Sequence, residues 1–226
     1  IRKIPKVFFD LSQVFVVIKV LGFDIRRVVV YGFENNADLR AEGLDKYQFG
    51  VSFKVSLHNR RVGSFKINLP GRHNVANALA AIGVGLELGV STKKIRYALE
   101  IFRGVHRRLE YIGSAKGIRI FDDYGHHPTE IAVTLQTLRD YFTDQRIVSV
   151  FQPHRFTRTY HLFDQFAISF LDADLVIVTD IYAAHEMPIP VVTGRALAKR
   201  IAKDQDAVHF IDRFPRVLGF LKRSEE

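Results

Sequence analysis

The 226-residue sequence contains no cysteine. This absence excludes disulfide bonds, thiol nucleophiles and cysteine-ligated metal centres, and it is compatible with a reducing compartment. No uncharged apolar run approaches the ~18 residues that a membrane-spanning helix requires. The most apolar stretch, residues 7–23, is interrupted by Asp10 and Lys19. We therefore expect this stretch to be buried core, and we predict no membrane partner.

Several sequence patterns with known chemistry are also missing. The chain has no G-x-x-x-x-G-K-[ST] loop to cradle phosphates and no G-x-G-x-x-G after a predicted strand. It has no H-E-x-x-H or Cys/His zinc spacing, and no serine in a nucleophile elbow. The sequence therefore contains none of the motifs that identify a P-loop, a dinucleotide site, a zinc centre or a serine hydrolase.

The positive charge of the chain is concentrated in its first half. The net charge is +9, in a composition that is 47% hydrophobic and 25% charged, as in globular proteins. Residues 1–104 contain 17 Lys+Arg and 8 Asp+Glu, whereas residues 105–226 contain 16 of each. The shift predicts two domains that meet near residue 104. A basic half indicates an anionic partner, although the charge alone favours the simpler interpretation of a solvated basic surface.

Hydrophobic periodicity predicts different structures in the two halves. In the first half it predicts a strand at 25–31, a hairpin of 50–58 and 62–69 with its turn at 59–61, and helices at 74–88 and 92–102. Gly89 and Ser91 are the expected caps of those helices. In the second half it predicts strands at 117–122, 146–151, 174–179 and 207–211, alternating with helices at 128–142, 159–171, 193–203 and 213–222. This alternation is typical of an α/β domain with a parallel, doubly wound sheet.

Polar clusters follow three of the predicted strands of the second half. They are Asp122–Pro128, Gln152–Arg158 and Thr179–Glu186. Loops that follow parallel strands lie on one edge of an open α/β sheet, where ligands bind. We therefore expect the three clusters to form one composite polar site.

Each polar cluster has a functional and a structural interpretation. The Asp122-Asp123 and His126-His127 pairs are suited to holding a metal, orienting a ribose or exchanging protons, but also to a polar turn that caps a helix. Arg155 and Arg158 are suited to a carboxylate or phosphate, or to a salt bridge with Asp164.

A further cluster, Gly71–Asn77, enters the first predicted helix. Asn74 and Asn77 have the donors and acceptors that the edge of adenine requires. Alternatively, Asn74 is an ordinary helix cap.

Four segments of the sequence resemble the Mur ligases. They are Leu-Pro-Gly-Arg-His-Asn-Val-Ala-Asn-Ala at 69–78, Phe-Arg-Gly-Val-His-Arg-Arg at 102–108, Phe-Asp-Asp-Tyr-Gly-His-His-Pro-Thr-Glu at 121–130 and Phe-Gln-Pro-His-Arg-Phe-Thr-Arg-Thr at 151–159. The resemblance extends from about residue 28 to at least residue 190. The last segment favours the members that attach L-alanine to UDP-N-acetylmuramate over those that attach a whole tripeptide.

The resemblance implies a fold and a domain organisation. Residues 1–104 would be the C-terminal part of a Mur-type central ATP-binding domain. Residues 105–226 would be the Rossmann-like, doubly wound C-terminal domain without its closing strand, and residues 1–21 depart from the family pattern. The family's P-loop, UDP-sugar domain and magnesium ligands would lie upstream. We therefore expect the 226-residue chain alone to be inactive.

The resemblance also implies a reaction, cofactors and a cytoplasmic location. A carboxylate of UDP-N-acetylmuramate would be phosphorylated by ATP, with Mg²⁺, and the acyl phosphate would then be attacked by the amine of L-alanine in peptidoglycan precursor synthesis. The implied roles are adenine binding by His73, Asn74 and Asn77; phosphate binding by Arg108; ribose binding by Asp123; catalysis by His126, His127, Arg155 and Arg158; and binding of the substrate carboxylate by His154, Arg155 and Arg158. Tyr182 and Glu186 would shape the alanine pocket.

Two alternative functions remain open at this point. One is a ligase that recycles the tripeptide onto the same sugar acid. The other is a non-catalytic basic module that binds nucleotides or nucleic acid. Nucleic-acid binding usually involves exposed aromatic side chains among Lys and Arg. Most Phe residues here lie at predicted core positions, so we expect no nucleic-acid partner. The sequence predicts no particular oligomeric state.

Overall fold

The computed structural model describes residues 14–19 and 26–223. These residues form two compact units that divide between Gly104 and Val105. The first unit, up to Gly104, is a five-stranded sheet with two helices. The second, from Val105 onward, alternates strands with helices. Of the predicted core stretch 7–23, only the backbone of its strand at 14–19 lies within the described residues.

The sheet of the first unit has its strands in chain order. They are β1 (Val14–Lys19), β2 (Arg26–Gly32), β3 (Leu39–Tyr47), β4 (Gly50–Leu57) and β5 (Arg60–Ile67). Neighbours are antiparallel except for β2 and β3, which are parallel. The predicted strand at 25–31 corresponds to β2, and the predicted hairpin is β4–β5. The pattern gave no sign of β3.

The turn of the β4–β5 hairpin differs from the prediction. It consists of His58 and Asn59, with φ of 47° and 62°, and Arg60 already belongs to β5. Two consecutive residues with positive φ match the right-handed twist of the flanking strands, and asparagine tolerates this conformation. The predicted turn at 59–61 was therefore displaced by one residue.

Two helices, α1 (Arg72–Glu87) and α2 (Thr92–Ile101), complete the first unit. Gly89 follows α1 with φ +70° and donates its N–H to the Leu86 carbonyl, as expected of a glycine cap. Ser91 occupies the N-cap of α2, but its hydroxyl makes no capping hydrogen bond. The core lies between α1 and the sheet, where Phe53, Phe65 and Leu79 are almost completely buried. Each such side chain contributes roughly 1.5–3 kcal/mol through burial.

The second unit begins with an antiparallel hairpin of β6 (Glu110–Ala115) and β7 (Ile118–Asp122). Its remaining elements are α3 (Pro128–Tyr141), β8 (Val148–Phe151), α4 (Phe156–His161), α5 (Phe163–Ala167), β9 (Leu175–Val178), α6 (Gly194–Ile201), β10 (Val208–Phe210) and α7 (Phe214–Arg223). Strands β8, β9 and β10 form a parallel sheet with β9 in the centre. No described helix is long and apolar enough to cross a membrane.

Strand β9 shows why the second unit is doubly wound. All four of its side chains are buried. Val176 and Val178 pack into a cluster with residues of α3, α5 and α6, whereas Leu175 and Ile177 pack with Val217 of α7. Helical side chains therefore cover both faces of the central strand, as in doubly wound sheets. The predicted α/β fold class is confirmed.

Two details of the second unit were predicted wrongly. The segment expected to be the first strand of the parallel sheet, β7, pairs with β6 instead. Lys116 and Gly117 connect these strands with φ of 50° and 82°, which permits a tight hairpin. The single helix predicted at 159–171 is two short helices, because Leu162 departs from helical geometry with φ −111° and ψ 17°.

Candidate functional site

The loops after β8 and β9 remain paired beyond the ends of their strands. The Arg155 N–H donates to the Tyr182 carbonyl oxygen at 2.8 Å, and the Tyr182 N–H donates to the Pro153 carbonyl oxygen at 2.8 Å. His154 and Tyr182 consequently form an isolated parallel bridge. These backbone contacts fix the two loops against each other, so they present their side chains from adjacent positions.

Aromatic rings connect all three polar loops. The ring of His126, from the loop after β7, lies 5.1 Å from the Tyr124 ring and 6.1 Å from the His154 ring, measured between centroids. The His154 ring stacks on Tyr182 at 5.4 Å. The structure thus brings together His126, His154 and Tyr182, which belong to three different sequence clusters.

Arg158, in the first turn of α4, approaches the imidazole of His154. Its Nη1 lies 3.3 Å from His154 Nδ1 and 3.4 Å from the His154 carbonyl oxygen. Burial, followed by the positive charge of Arg158, lowers the pKa of His154. His154 is therefore neutral at neutral pH. Asp164, the alternative partner for these arginines, pairs instead with Arg200 at 2.9 Å.

Glu186 ties the third loop to the second. Its Oε2 accepts the Thr157 N–H at 3.0 Å, and its Oε1 accepts the Thr157 hydroxyl at 2.7 Å. These hydrogen bonds hold the pKa of Glu186 below its usual value. The Arg155 Nη1 lies 3.9 Å from Glu186 Oε1, and Arg155 precedes α4 with a φ of 72°. Glu186 therefore holds the loop that carries Arg155.

The start of α3 is a capping box. His127 Nδ1 accepts the Thr129 N–H at 3.3 Å, while Glu130 Oε2 accepts the N–H groups of His127 and His126 at 3.1 Å each. Pro128 occupies the first helical position. One ring nitrogen of His127 is thus committed to the helix cap, as the structural interpretation of this histidine expected.

Glu130 also binds Arg108, although Glu130 was not among the candidate residues predicted from the sequence. Its Oε1 lies 3.2 Å from Arg108 Nη1. Burial alone would raise the pKa of Glu130, but hydrogen bonds from the His126 N–H, Arg108 and the His127 N–H lower it. The signal was available, because Glu130 stands three residues after the cap, where a capping box places Glu or Gln.

Asp123 joins the segment around Arg108 to the loop after β7. Its Oδ2 accepts the Leu109 N–H at 2.7 Å and its Oδ1 accepts the Gly125 N–H at 2.6 Å. Asp122 pairs separately with Arg107 at 3.3 Å. Each oxygen of Asp123 keeps a second lone pair, so the carboxylate can still accept a hydrogen bond from a ligand hydroxyl.

The candidate residues of the first unit lie at the start of α1. Gly71, with φ 92°, is the N-cap, so Asn74 does not cap this helix by position. Asn74 Nδ2 donates to the Pro70 carbonyl oxygen at 2.7 Å, and Asn77 Nδ2 lies 3.4 Å from Asn74 Oδ1. Asn74 therefore braces the turn before the helix, while Asn77 is exposed and His73 is half-buried.

Within the part of the chain that the structure describes, the acidic and histidine side chains do not gather into a metal site. Among residues 14–19 and 26–223, no group of three or more His, Asp or Glu could hold a metal ion. The Asp122, Asp123, His126 and His127 cluster instead distributes its contacts over separate partners. The interpretation of this cluster as a metal centre finds no support in the described residues.

Two family descriptions match this chain. Residues 107–223 match the description "Mur ligase, glutamate ligase domain", and residues 13–85 match "Mur ligase middle domain". The first match alone spans more than half of the sequence. The chain therefore belongs to the Mur ligase family.

Its relatives carry a more specific name. UDP-N-acetylmuramate–L-alanine ligase of Salinibacter ruber is 44% identical over 193 residues, which are 85% of this chain and 41% of the relative. The enzyme of the same name from Solibacter usitatus is 49% identical over 176 residues, or 78% of this chain and 37% of the relative. The chain thus spans about two fifths of the length of these relatives.

Solved structures agree with this relationship. UDP-N-acetylmuramate-alanine ligase MurC from Thermotoga maritima has a TM-score of 0.71 and 30% identity, over 84% of this chain and 40% of that one. A murein peptide ligase from Psychrobacter arcticus has a TM-score of 0.56 and 27% identity, over 84% of this chain and 39% of that one.

Proposed function

We propose that this chain is part of a cytoplasmic, ATP-dependent ligase that joins L-alanine to UDP-N-acetylmuramate for peptidoglycan synthesis. The observation that carries the proposal lies in the segment after β8, where Arg158 contacts His154 and the His154 ring lies 6.1 Å from the ring of His126. The names of the two relatives described above supply the substrates. In this proposal, the residues up to Gly104 are the end of the ATP-binding domain, and the residues from Val105 onward are the domain that binds the amino acid.

The segment from His154 to Arg158 is suited to binding a carboxylate. A guanidinium group presents paired N–H donors that match the two oxygens of a carboxylate. Within the described part of the chain, Arg158 forms no ion pair with Asp or Glu, so its charge is not neutralised locally. Because His154 is neutral, it adds a hydrogen-bonding group without adding charge. We assign the binding of the carboxylate of alanine, or of the acyl intermediate, to His154, Arg155 and Arg158.

The remaining candidates are assigned to ATP and to the reacting centre. His73, Asn74 and Asn77 would contact adenine, Asp123 would bind ribose through its free lone pairs, and Arg108 would bind phosphate. His126 and His127 would line the reacting centre, while Tyr182 and Glu186 would shape the alanine pocket. Mg²⁺ would accompany the ATP, as the resemblance to the family implies.

The second candidate function is a ligase that attaches a whole peptide to the same sugar acid. The resemblance to the murein peptide ligase is weaker, with a TM-score of 0.56 against 0.71 for the alanine ligase. A nucleic-acid module is a third candidate. The four phenylalanines Phe53, Phe65, Phe166 and Phe170 are fully buried and cannot stack on bases.

A chimeric ligase tests the proposal. Residues 107–223 replace the matching segment of the Salinibacter ruber enzyme, and phosphate release is measured with ATP, Mg²⁺, UDP-N-acetylmuramate and either L-alanine or a tripeptide. We expect release that depends on L-alanine. Turnover with the tripeptide alone would support the second candidate, and salt-dependent binding of random DNA would support the third. We expect the unmodified 226-residue chain to release no phosphate.

A further inference from the structure

We propose that Glu130 is a positioning residue, which holds the guanidinium of Arg108 in the orientation that binds a phosphate group of ATP. The inference rests on the proposed function, in which Arg108 binds phosphate, and it deepens that function by naming the residue that orients this arginine. Glu130 acts through Arg108 and does not itself contact the phosphate. Its carboxylate connects Arg108 to the start of α3, beside His126 and His127.

The backbone around Arg108 is fixed on both sides. Arg107 and Leu109 have φ of 58° and 46°, a left-handed conformation that is uncommon for residues other than glycine. The Arg107 N–H donates to Glu110 Oε2 at 2.8 Å, and the Leu109 N–H donates to Asp123 Oδ2 at 2.7 Å. These contacts set the direction in which the Arg108 side chain leaves the main chain.

The tip of the Arg108 side chain needs a separate contact, because this long side chain is 54% exposed. Its Nη1 donates to Glu130 Oε1 at 3.2 Å. An arginine that is already ordered loses less conformational entropy when it binds an anion. A guanidinium group carries several N–H donors in one plane, so others stay available to a phosphate while one is bound to Glu130. Glu130 therefore orients the arginine without occupying it.

The two oxygens of Glu130 have separate tasks. Oε1 accepts from Arg108, whereas Oε2 accepts the N–H groups of His126 and His127 at 3.1 Å each. A glutamine side chain has a single carbonyl oxygen. In Glu130→Gln that oxygen can keep the helix cap, but the amide NH₂ group then faces the guanidinium, and two donors do not bind each other. This variant therefore removes the contact with Arg108 and retains the cap.

The order of the Arg108 side chain provides the first test. In the ¹⁵N-labelled 226-residue chain, heteronuclear NOE values of the arginine Nε–H groups report motion on the picosecond-to-nanosecond timescale. We expect a high value for Arg108 that falls in Glu130→Gln, while the value for Arg139 stays the same. Arg139 is the matched control, because it pairs with a different carboxylate, that of Asp174, at 2.6 Å. An equally high value for Arg108 in both proteins would overturn the inference.

A double-mutant cycle in the chimeric ligase provides the second test. Arg108→Ala should lower kcat/KM for ATP on the order of 10²-fold. Glu130→Gln should lower it about 10-fold and leave the KM for L-alanine unchanged. Because Glu130 acts through Arg108, adding Glu130→Gln to Arg108→Ala should cost less than about 2-fold more.

Asp174→Asn is the matched control in the chimera. The Asp174 carboxylate also accepts a backbone N–H, from Ile147 at 2.6 Å, and an arginine N–H, from Arg139 at 2.6 Å. It lies before β9, whereas the three polar loops follow the strands. We expect this variant to leave kcat/KM for ATP unchanged.

The outcomes separate this inference from the proposed function. If Glu130→Gln costs as much in the Arg108→Ala background as in the unaltered chimera, Glu130 acts only as a helix cap and the inference is wrong. A change confined to the KM for L-alanine would also overturn it. If the unaltered chimera releases no phosphate with L-alanine, the proposed function is wrong, whereas the NOE values still decide whether Glu130 orients Arg108.

Discussion

Arg108 and Arg155 each face a glutamate that binds the start of a helix, but the two pairs are built differently. Glu130 belongs to the first turn of the helix that it caps, and it lies 3.2 Å from Arg108. Glu186 lies 29 residues beyond Thr157, the residue that it binds, and it is 3.9 Å from Arg155.

The difference between the two pairs concerns how firmly each arginine is held. At 3.2 Å, Arg108 donates a hydrogen bond to its glutamate, whereas 3.9 Å is beyond hydrogen-bonding distance. The first pair holds the segment before β6 against the first turn of α3. The second connects two loops and leaves the guanidinium of Arg155 available to an anion. Substitutions in the two arginine–glutamate pairs should therefore affect different properties of the protein.

The largest expected effect is on catalysis at the loosely held arginine. In the chimeric ligase, Arg155→Ala should lower the rate on the order of 10²-fold, as the loss of one transition-state donor typically does. Phosphate release at saturating L-alanine measures this. Arg213→Ala is the matched control, because Arg213 is exposed and lies outside the three loops. An unchanged rate for Arg155→Ala would remove this residue from the site.

The next largest effect is expected on stability, at the pair of Arg108 and Glu130. Glu130→Ala should lower the free energy of unfolding of the 226-residue chain by about 1–2 kcal/mol, the usual cost of losing a helix cap. Urea denaturation measures this change. Glu186→Ala should cost less, because Glu186 accepts one backbone N–H whereas Glu130 accepts two. A larger destabilisation by Glu186→Ala than by Glu130→Ala would contradict the distinction between the two pairs.

The stabilisation by Glu130 should depend on pH. Because hydrogen bonds lower its pKa in the folded chain, its contribution is present above the unfolded pKa of 4.5 and disappears as the pH falls through the lower, folded value. The stabilities of the unaltered chain and of Glu130→Gln should therefore converge in acid. Urea midpoints measured across this range test the prediction. A constant difference down to the lowest pH at which the chain folds would contradict it.

The smallest effect is expected at the contact between the second and third loops. Thr157→Val removes the hydroxyl that binds Glu186 but keeps the backbone N–H, so the unfolding free energy should change by less than ~0.5 kcal/mol. Thr157→Ser, which keeps the hydroxyl, is the matched control. In the chimera, a loss of activity as large as that of Arg155→Ala would show that this contact sets the position of the arginine.

Periodicity in the sequence correctly predicted the elements whose structure depends on residues close together in the chain. The hairpin of β4 and β5 and the helix α3 were expected at nearly their observed positions, because their alternating apolar residues and caps are local signals. Strand β6, which pairs with β7, was not predicted, because the pairing depends on a turn at Lys116 and Gly117 that has little signal in the composition. Boundaries decided by left-handed residues, such as Asn59, were similarly displaced.

The chemistry available to this protein follows from its sequence, which has histidines and arginines after three strands and lacks cysteine and a phosphate-cradling loop. The family resemblance is also carried by the sequence. How the side chains are used depends on the tertiary structure, because hydrogen bonds join residues far apart in the chain. The fold places His126 against His154 and pairs Glu130 with Arg108 and Glu186 with Thr157.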